Sequence, residues 1–314
     1  MRNPNPVTML SDLEIGMPRT VLNLTVVPIS GNRASSLDYL LLDDALLAEK
    51  LAVEEVSEGG SLPELRMANF SNRFVLVVDG TELIGGKKNR IVNASFLIPP
   101  ESMAKIPVSS VEQGKRQNRG GEFRISRHFA PHSIRRENVA FHNTTLKQKR
   151  GYVSEQGKVW AYIAYMADKM GAPTETGSMN GVMEQKQSSI DGYRMCMALE
   201  GSETGAAYFV NGILQGIELF DRAATFRKMC PKLLSGIAVD ALMGQGERLF
   251  ASRARTPEEA TEHVRRTLEE VGKSLFEKYE LIGVGEDWRY DAKRSFGKAL
   301  QYGADLIHFS AFGK

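Results

Sequence analysis

The sequence predicts an α+β fold: a β-rich N-terminal part, sandwich-like or barrel-like, followed by a mixed α/β C-terminal part. Three observations predict it. Short runs rich in Val, Leu and Thr recur at close spacing over residues 18–112, with turn residues between them. An Asn211-Gly212 pair separates two apolar runs, which is a strong short-range hairpin signal. Thr256-Pro257 followed by Glu258-Glu259 has the signature of a helix start. The expected organisation is a β-rich domain over 1–113, a basic connector over 114–150 and a mixed part over 151–314, with one continuous domain as the alternative.

Taken in order, residues 20–30 (TVLNLTVVPIS) alternate near their start and read as a strand. Tyr39–Leu42 reads as a further strand, and Asp43–Lys50 as a helical turn capped by Asp43. LAVEEVS, from Leu51, is another short apolar run, and Gly59-Gly60 and Asn72 then punctuate a strand, a turn and a strand. Val159, Ile163 and Met166 fall at helical spacing and predict a helix over 156–170. Residues 171–190, rich in Gly, Thr and Ser, read as a flexible linker, followed by a short helix from Ile190. After the 211–212 hairpin, Asp221 reads as the N-cap of an apolar helix interrupted at Pro231. The tail beyond Lys278 alternates enough for two or three more strands.

Bulk properties narrow the function classes. A net charge of +2 rules out a whole-surface nucleic-acid footprint. No apolar run approaches the roughly 20 residues that span a bilayer, and the first residues carry no apolar signal core. A cytoplasmic protein without membrane contact is therefore expected. Cys196 and Cys230 lack a CxxC context and read as buried thiols in a reducing compartment. His128 and His132 would face one way on a helix, but Pro131 argues against a helix there, and a helix is expected to begin near Asn143 instead. A magnesium ion held by carboxylates is compatible with the chain, because its ligands need no local signature. The sequence specifies no cofactor, and a homo-oligomer is allowed.

The densest polar signal is the hinge DGTELIGGKKNR between two apolar strands. Gly85 and Gly86 permit positive φ and close backbone approach, and Lys87, Lys88 and Arg90 around them would make an anion-binding nest with Asn89 beside it. The spacing is neither a P-loop nor GxGxxG. Asp79 and Glu82 supply carboxylates for general acid–base work or for a metal, and Glu112 and Gln113, ahead of Gly114, could complete the same pocket. The alternative is a plain hairpin whose charges satisfy one another. Residues 114–150 are rich in arginine and lysine, Arg116 among them, which suits phosphate contacts or a solvated basic loop.

The runs NLTVVPI, YLLLDDAL and IPVSSVEQG and the stretch from Val53 to Pro99 that carries ELIGGKKNR resemble the first of the ADP-ribosylglycohydrolase and rhodanese-phosphatase associated protein domain families. TGAAYFVNGILQGIELFD and CPKLLSGIAVDAL look like that family's C-terminal half. The resemblance implies company with nucleotide, NAD or ADP-ribose metabolism and assigns no mechanism. The matching positions are Asp79, Glu82, Gly85, Lys88, Asn89, Arg90, Glu112, Gln113 and Gly114. The family pattern more often has glutamine where Lys88 stands and an aromatic residue where Lys115-Arg116 stand, so the site here would be more basic.

The leading expectation is a protein that binds, and as one outcome hydrolyses, a phosphorylated nucleotide-type small molecule such as ADP-ribose or an NAD-related compound. Lys87, Lys88, Arg90 and Arg116 would hold phosphate, with Glu82, Glu112 or Asp79 as the acid–base group. Two alternatives stay open. One is a non-catalytic ligand-sensing or protein-interaction module. The other, disfavoured by the near-neutral charge, is weak nucleic-acid binding through 115–150.

Overall fold

A computed structural model of the chain describes residues 10, 12–31, 34–56, 63–114, 121–194, 201–245 and 256–314. The fold is α+β and divides into two compact units. The outer unit takes both ends of the chain (1–36, 188–280 and 285–314), and the inner unit takes 37–187 with 281–284. The basic stretch 114–150 lies inside the inner unit, where most of it forms a strand and a helix.

The outer unit opens with β1 (Leu13–Ile15), β2 (Arg19–Val21) and β3 (Leu24–Gly31). The inner unit then supplies β4 (Tyr39–Leu41), α1 (Leu42–Leu47), β5 (Leu51–Glu55), β6 (Glu64–Asn69), β7 (Phe74–Val77) and β8 (Thr81–Ile84). It continues through β9 (Arg90–Val92), β10 (Phe96–Ile98), β11 (Ser102–Ser110) and β12 (Arg124–Phe129) to α2 (His132–Lys147), α3 (Gln156–Lys169) and α4 (Met179–Gln185). The chain passes through α5 (Gln187–Arg194) into β13 (Glu203–Val210), β14 (Ile213–Phe220), α6 (Ala223–Met243) and α7 (Pro257–Gly272). It ends with β15 (Phe276–Glu280), β16 (Glu286–Asp291), β17 (Ser295–Tyr302) and β18 (Asp305–Gly313).

In the inner unit, β12-β8-β9-β11-β6-β5 form an open antiparallel sheet, a half-barrel rather than a closed one, and β10-β7-β4 form a small second sheet. β6 buries Leu65, Met67 and Asn69 at every second position, the period of a strand with one covered face. The β7–β8 turn places Gly80 at φ +86, and the Thr81 amide donates to the Val78 carbonyl at 3.2 Å, closing a tight turn. α2 begins at His132 directly after Pro131, not near Asn143: proline at a helix entrance costs no intrahelical bond. α3 buries Val159, Ile163 and Met166, as their spacing predicts. The stretch 171–190 is no linker. Ser178 caps α4 by accepting from the Gly181 amide at 3.3 Å, and α5 follows after one residue.

In the outer unit, β1-β3-β13-β14-β18-β17-β16-β15 form one sheet, with β2 also paired to β3. The β13–β14 hairpin turns on Asn211 (φ 51) and Gly212 (φ 74), the two positive φ values of a type I′ turn. The tail supplies four strands rather than two or three, because β15 and β16 continue the sheet past β17. α7 starts with a reciprocal capping box between Thr256 and Glu259, with Pro257 at its first turn. Its residues Ala260, Val264, Leu268 and Val271 pack on Ile217, Leu219, Phe309 and Tyr290 of the sheet, and each large aliphatic contributes roughly 1.5–3 kcal/mol. α6 packs along β13 and runs unbroken through Pro231. Its N-cap position is Arg222, and Asp221 instead pairs with the Arg222 guanidinium at 2.9 Å. Cys230 is buried in α6, and burial first, then Glu203, pushes its thiol up to about 12; Cys196 lies outside the described residues. Among the described residues no helix is long and apolar enough to cross a membrane, which leaves β-barrels unaddressed.

Candidate functional site

The hinge is a hairpin, β8–β9, in which Glu82 pairs with Ile91 and Leu83 with Arg90. Side chains alternate along a strand, so Asn89 falls on the same face as Glu82, one diagonal step away. β12 flanks β8 on the other side and breaks register between Ile125 and Phe129, which brings Ser126 to Glu82. α4 supplies Asn180, whose Nδ2 donates to Glu82 Oε2 at 3.4 Å and to Ser126 Oγ at 3.1 Å.

Glu82 has no solvent exposure. Burial raises its pKa from 4.5 to about 7; the hydrogen bonds of Ser126 and Asn180 oppose this, and the charges of Glu112 and Glu184 reinforce it. Its second oxygen, Oε1, is buried and meets no donor among the described residues, and the same holds for Asn89 Oδ1. Protonation would turn Glu82 Oε1 from an acceptor into a donor. A water or a ligand N–H would satisfy the Asn89 oxygen.

Glu112 is equally buried but differently held. The Asn89 amide donates to Oε2 at 3.2 Å and the Thr176 hydroxyl to Oε1 at 2.6 Å. Glu112 also forms an isolated bridge with Ser178, and the Gln113 and Gly114 amides both donate to the Thr176 carbonyl, at 3.1 and 2.9 Å. Lys88 donates to the Gln113 carbonyl at 2.8 Å, and its ammonium lies 5.3 Å from the Trp160 ring centre. The 85–90 turn, the 111–114 turn and the 174–180 segment thus meet in one polar node.

Other expected site residues do different work. Asp79 accepts from Ser95 Oγ at 2.7 Å and pairs with the Arg135 guanidinium at 3.2 Å, both ion-pair partners being buried. Arg90 turns to Glu55 at 3.7 Å; burial first lowers its pKa and Glu55 opposes the shift. Gly85 and Gly86 have positive φ, but the space beside them is occupied by the chain itself. A Cβ on Gly85 would lie 2.5 Å from the Glu122 carbonyl and one on Gly86 2.5 Å from the Phe123 ring, and the Gly86 amide donates to Gly121. The Gly86 amide is thereby committed to the chain itself. Lys87 is exposed, and Arg116 lies outside the described residues. Within the basic stretch, Arg127 and His128 hold Glu184. Partial burial works against ionisation there, but these two partners keep the carboxyl below the usual range.

Thr176, Ser178 and Asn180 are the site residues that the sequence hides. They sit in a Gly-, Thr- and Ser-rich run whose one local cue is a serine N-cap without a capping-box partner. Among the described residues no three His, Cys, Asp or Glu side chains gather as a metal-binding group. The outer unit holds a second buried polar cluster, Glu218, His308 and Ser310. Here His308 Nε2 lies 2.8 Å from Glu218 Oε2 and 3.3 Å from Ser310 Oγ, and Ser310 also donates to that carboxylate oxygen. A nucleophile relay needs the serine and the acid on opposite ring nitrogens, so this cluster reads as cross-strand pairing.

The model of the ARPP-1 family, the ARG and Rhodanese-Phosphatase-superfamily-associated Protein domain, matches residues 12–312. The chain belongs to this family. The ARPP-1 match takes in both units, so the β8–β9 node and the outer sheet are parts of one family architecture. No curated protein and no solved structure matches the chain.

Proposed function

We propose that the chain binds a phosphorylated nucleotide-type small molecule, of the ADP-ribose or NAD-related kind, at the node of the 85–90, 111–114 and 174–180 segments, and hydrolyses it there. The observation that carries the reading is the contrast between two buried carboxyls in one node. Glu82 is raised to about 7 with an oxygen that meets no donor, while Glu112 is held by two hydrogen bonds. A carboxyl near pKa 7 carries a proton it can deliver at neutral pH. In this reading Glu82 protonates the leaving oxygen as its bond breaks. Glu112 takes a proton from the water that attacks the electrophilic centre, and Lys88 faces the phosphate. The family's description, which links it to ARG and rhodanese-phosphatase proteins, supports the substrate class by association alone.

Complete enclosure of Glu82 favours a second reading, a non-catalytic sensing module in which Glu82 is a buried structural acid. Binding and turnover assays with ADP-ribose, NAD and ADP, with and without magnesium, separate the two. Glu82→Gln should keep affinity and lose turnover. Binding with no turnover in the unmodified protein would leave the sensing reading, and no binding of any probe would overturn both.

A further inference from the structure

Beside the node, the exposed flank of α3 borders a cleft of about 410 Å³ within the inner unit. That volume lies in the range of small-molecule sites. Trp160, Ala164, Ala167 and Gly171 follow one another at intervals of four, three and four along the helix and just past its end, so they share one face. Three of these four are small, which leaves a floor on which a flat ring can lie. Gly177 and Gln113 also line the cleft.

The polar groups around this floor are ordered. Lys88 stands over the Trp160 ring and is tethered to the Gln113 carbonyl, which puts a positive charge where the cleft meets the node. The Trp160 indole N–H is buried and meets no acceptor among the described residues. Asp168 and Thr174 also line the cleft and offer an acceptor and a hydroxyl for sugar groups.

We propose that this α3 cleft seats the aromatic base and ribose of the ligand, with its phosphate directed to Lys88. The inference rests on the nucleotide reading of the node and adds the subsite that distinguishes a nucleotide from a bare sugar phosphate. A base that lies on the alanine floor beside the Trp160 ring contributes affinity that ribose 5-phosphate lacks. The charge of Lys88 acts on both ligands alike.

Trp160 reports on its own site. In a Trp288→Phe background it is the remaining tryptophan, and AMP, ribose 5-phosphate and inorganic phosphate can be titrated against its fluorescence. AMP should bind at least about tenfold more tightly than ribose 5-phosphate, the order expected from one well-seated base. Ala164→Phe, at an exposed helix position, should erase that difference without moving the melting temperature. Lys88→Ala should weaken every probe that binds. Equal affinities for AMP and ribose 5-phosphate, both lost in Lys88→Ala and both indifferent to Ala164→Phe, would overturn the base subsite and leave the phosphate reading standing. A Lys88-independent response, or none, would overturn the nucleotide reading itself.

Discussion

Replacing Glu82 by glutamine tests the electrostatics of the node without any knowledge of its ligand. In the unfolded chain this carboxyl titrates near 4.5, and in the folded protein burial moves it to about 7. The folded pKa is the higher one, so its stabilising contribution is complete below pH 4.5 and is lost as the pH rises through 7. Over that interval the difference of about 2.5 units amounts to about 3 kcal/mol of lost stability, most of it gone by pH 8.5 and less than about 1 kcal/mol of it by pH 5. Glutamine has no charge to desolvate. Its amide oxygen can take the Asn180 bond while its NH2 occupies the Oε1 position. Glu82→Gln should therefore match the unmodified protein within about 1 kcal/mol at pH 5 and exceed it by about 2–3 kcal/mol at pH 8.5. Urea unfolding followed by Trp160 fluorescence in a Trp288→Phe background reads the inner unit at both pH values. Parallel stability profiles for the two proteins between pH 5 and 8.5 would refute a raised pKa at Glu82, and with it the proton donor of the proposed reaction.

Three further perturbations test the frame around the node. Asp79→Ala removes the carboxylate that faces the buried Arg135 guanidinium and should cost about 3–5 kcal/mol in urea unfolding; a cost under about 1 kcal/mol would show that the pair is not essential. Thr256→Ala removes half of the α7 capping box and should cost about 1 kcal/mol, most of it recovered by Thr256→Ser; equal losses in both variants would point away from the cap. Pro231→Ala restores an amide inside α6 and should stabilise the outer unit by about 1–3 kcal/mol; a lower melting temperature instead would mean that packing along β13 requires the proline ring.

Local rules carried the sequence reading wherever an element is decided by its own residues. Asn211-Gly212 supplied the two positive φ values of a hairpin, and Thr256, Pro257 and Glu259 supplied a complete helix start. The α3 spacing of Val159, Ile163 and Met166 gave its buried face. The same rules failed where a distant surface overrode them. Pro231 does not stop α6, which packs along β13 and buries residues both before and after the proline, Phe226 and Met229 on one side and Leu233 and Leu234 on the other. Residues 171–190 look like a linker by composition, yet Ser178 caps a helix there whose Met179, Val182 and Met183 are buried.

The node shows the same division. Sequence by itself placed Glu82, Lys88, Asn89, Glu112, Gln113 and Gly114 as a set, since the strands around them are apolar and a dense polar turn between such strands needs partners. It also gave the α+β class, because hydrophobic period and turn chemistry are written locally. Tertiary structure alone decided which partners those were. It turned Arg90 to Glu55 and Asp79 to Arg135, filled the space beside Gly85 and Gly86 with Glu122 and Phe123, and brought Thr176, Ser178 and Asn180 to the two glutamates from some ninety residues beyond Glu82 along the chain. The physical reason is that a carboxyl's protonation and a cation's availability depend on burial and on neighbours across space, and neither is fixed until the chain has packed.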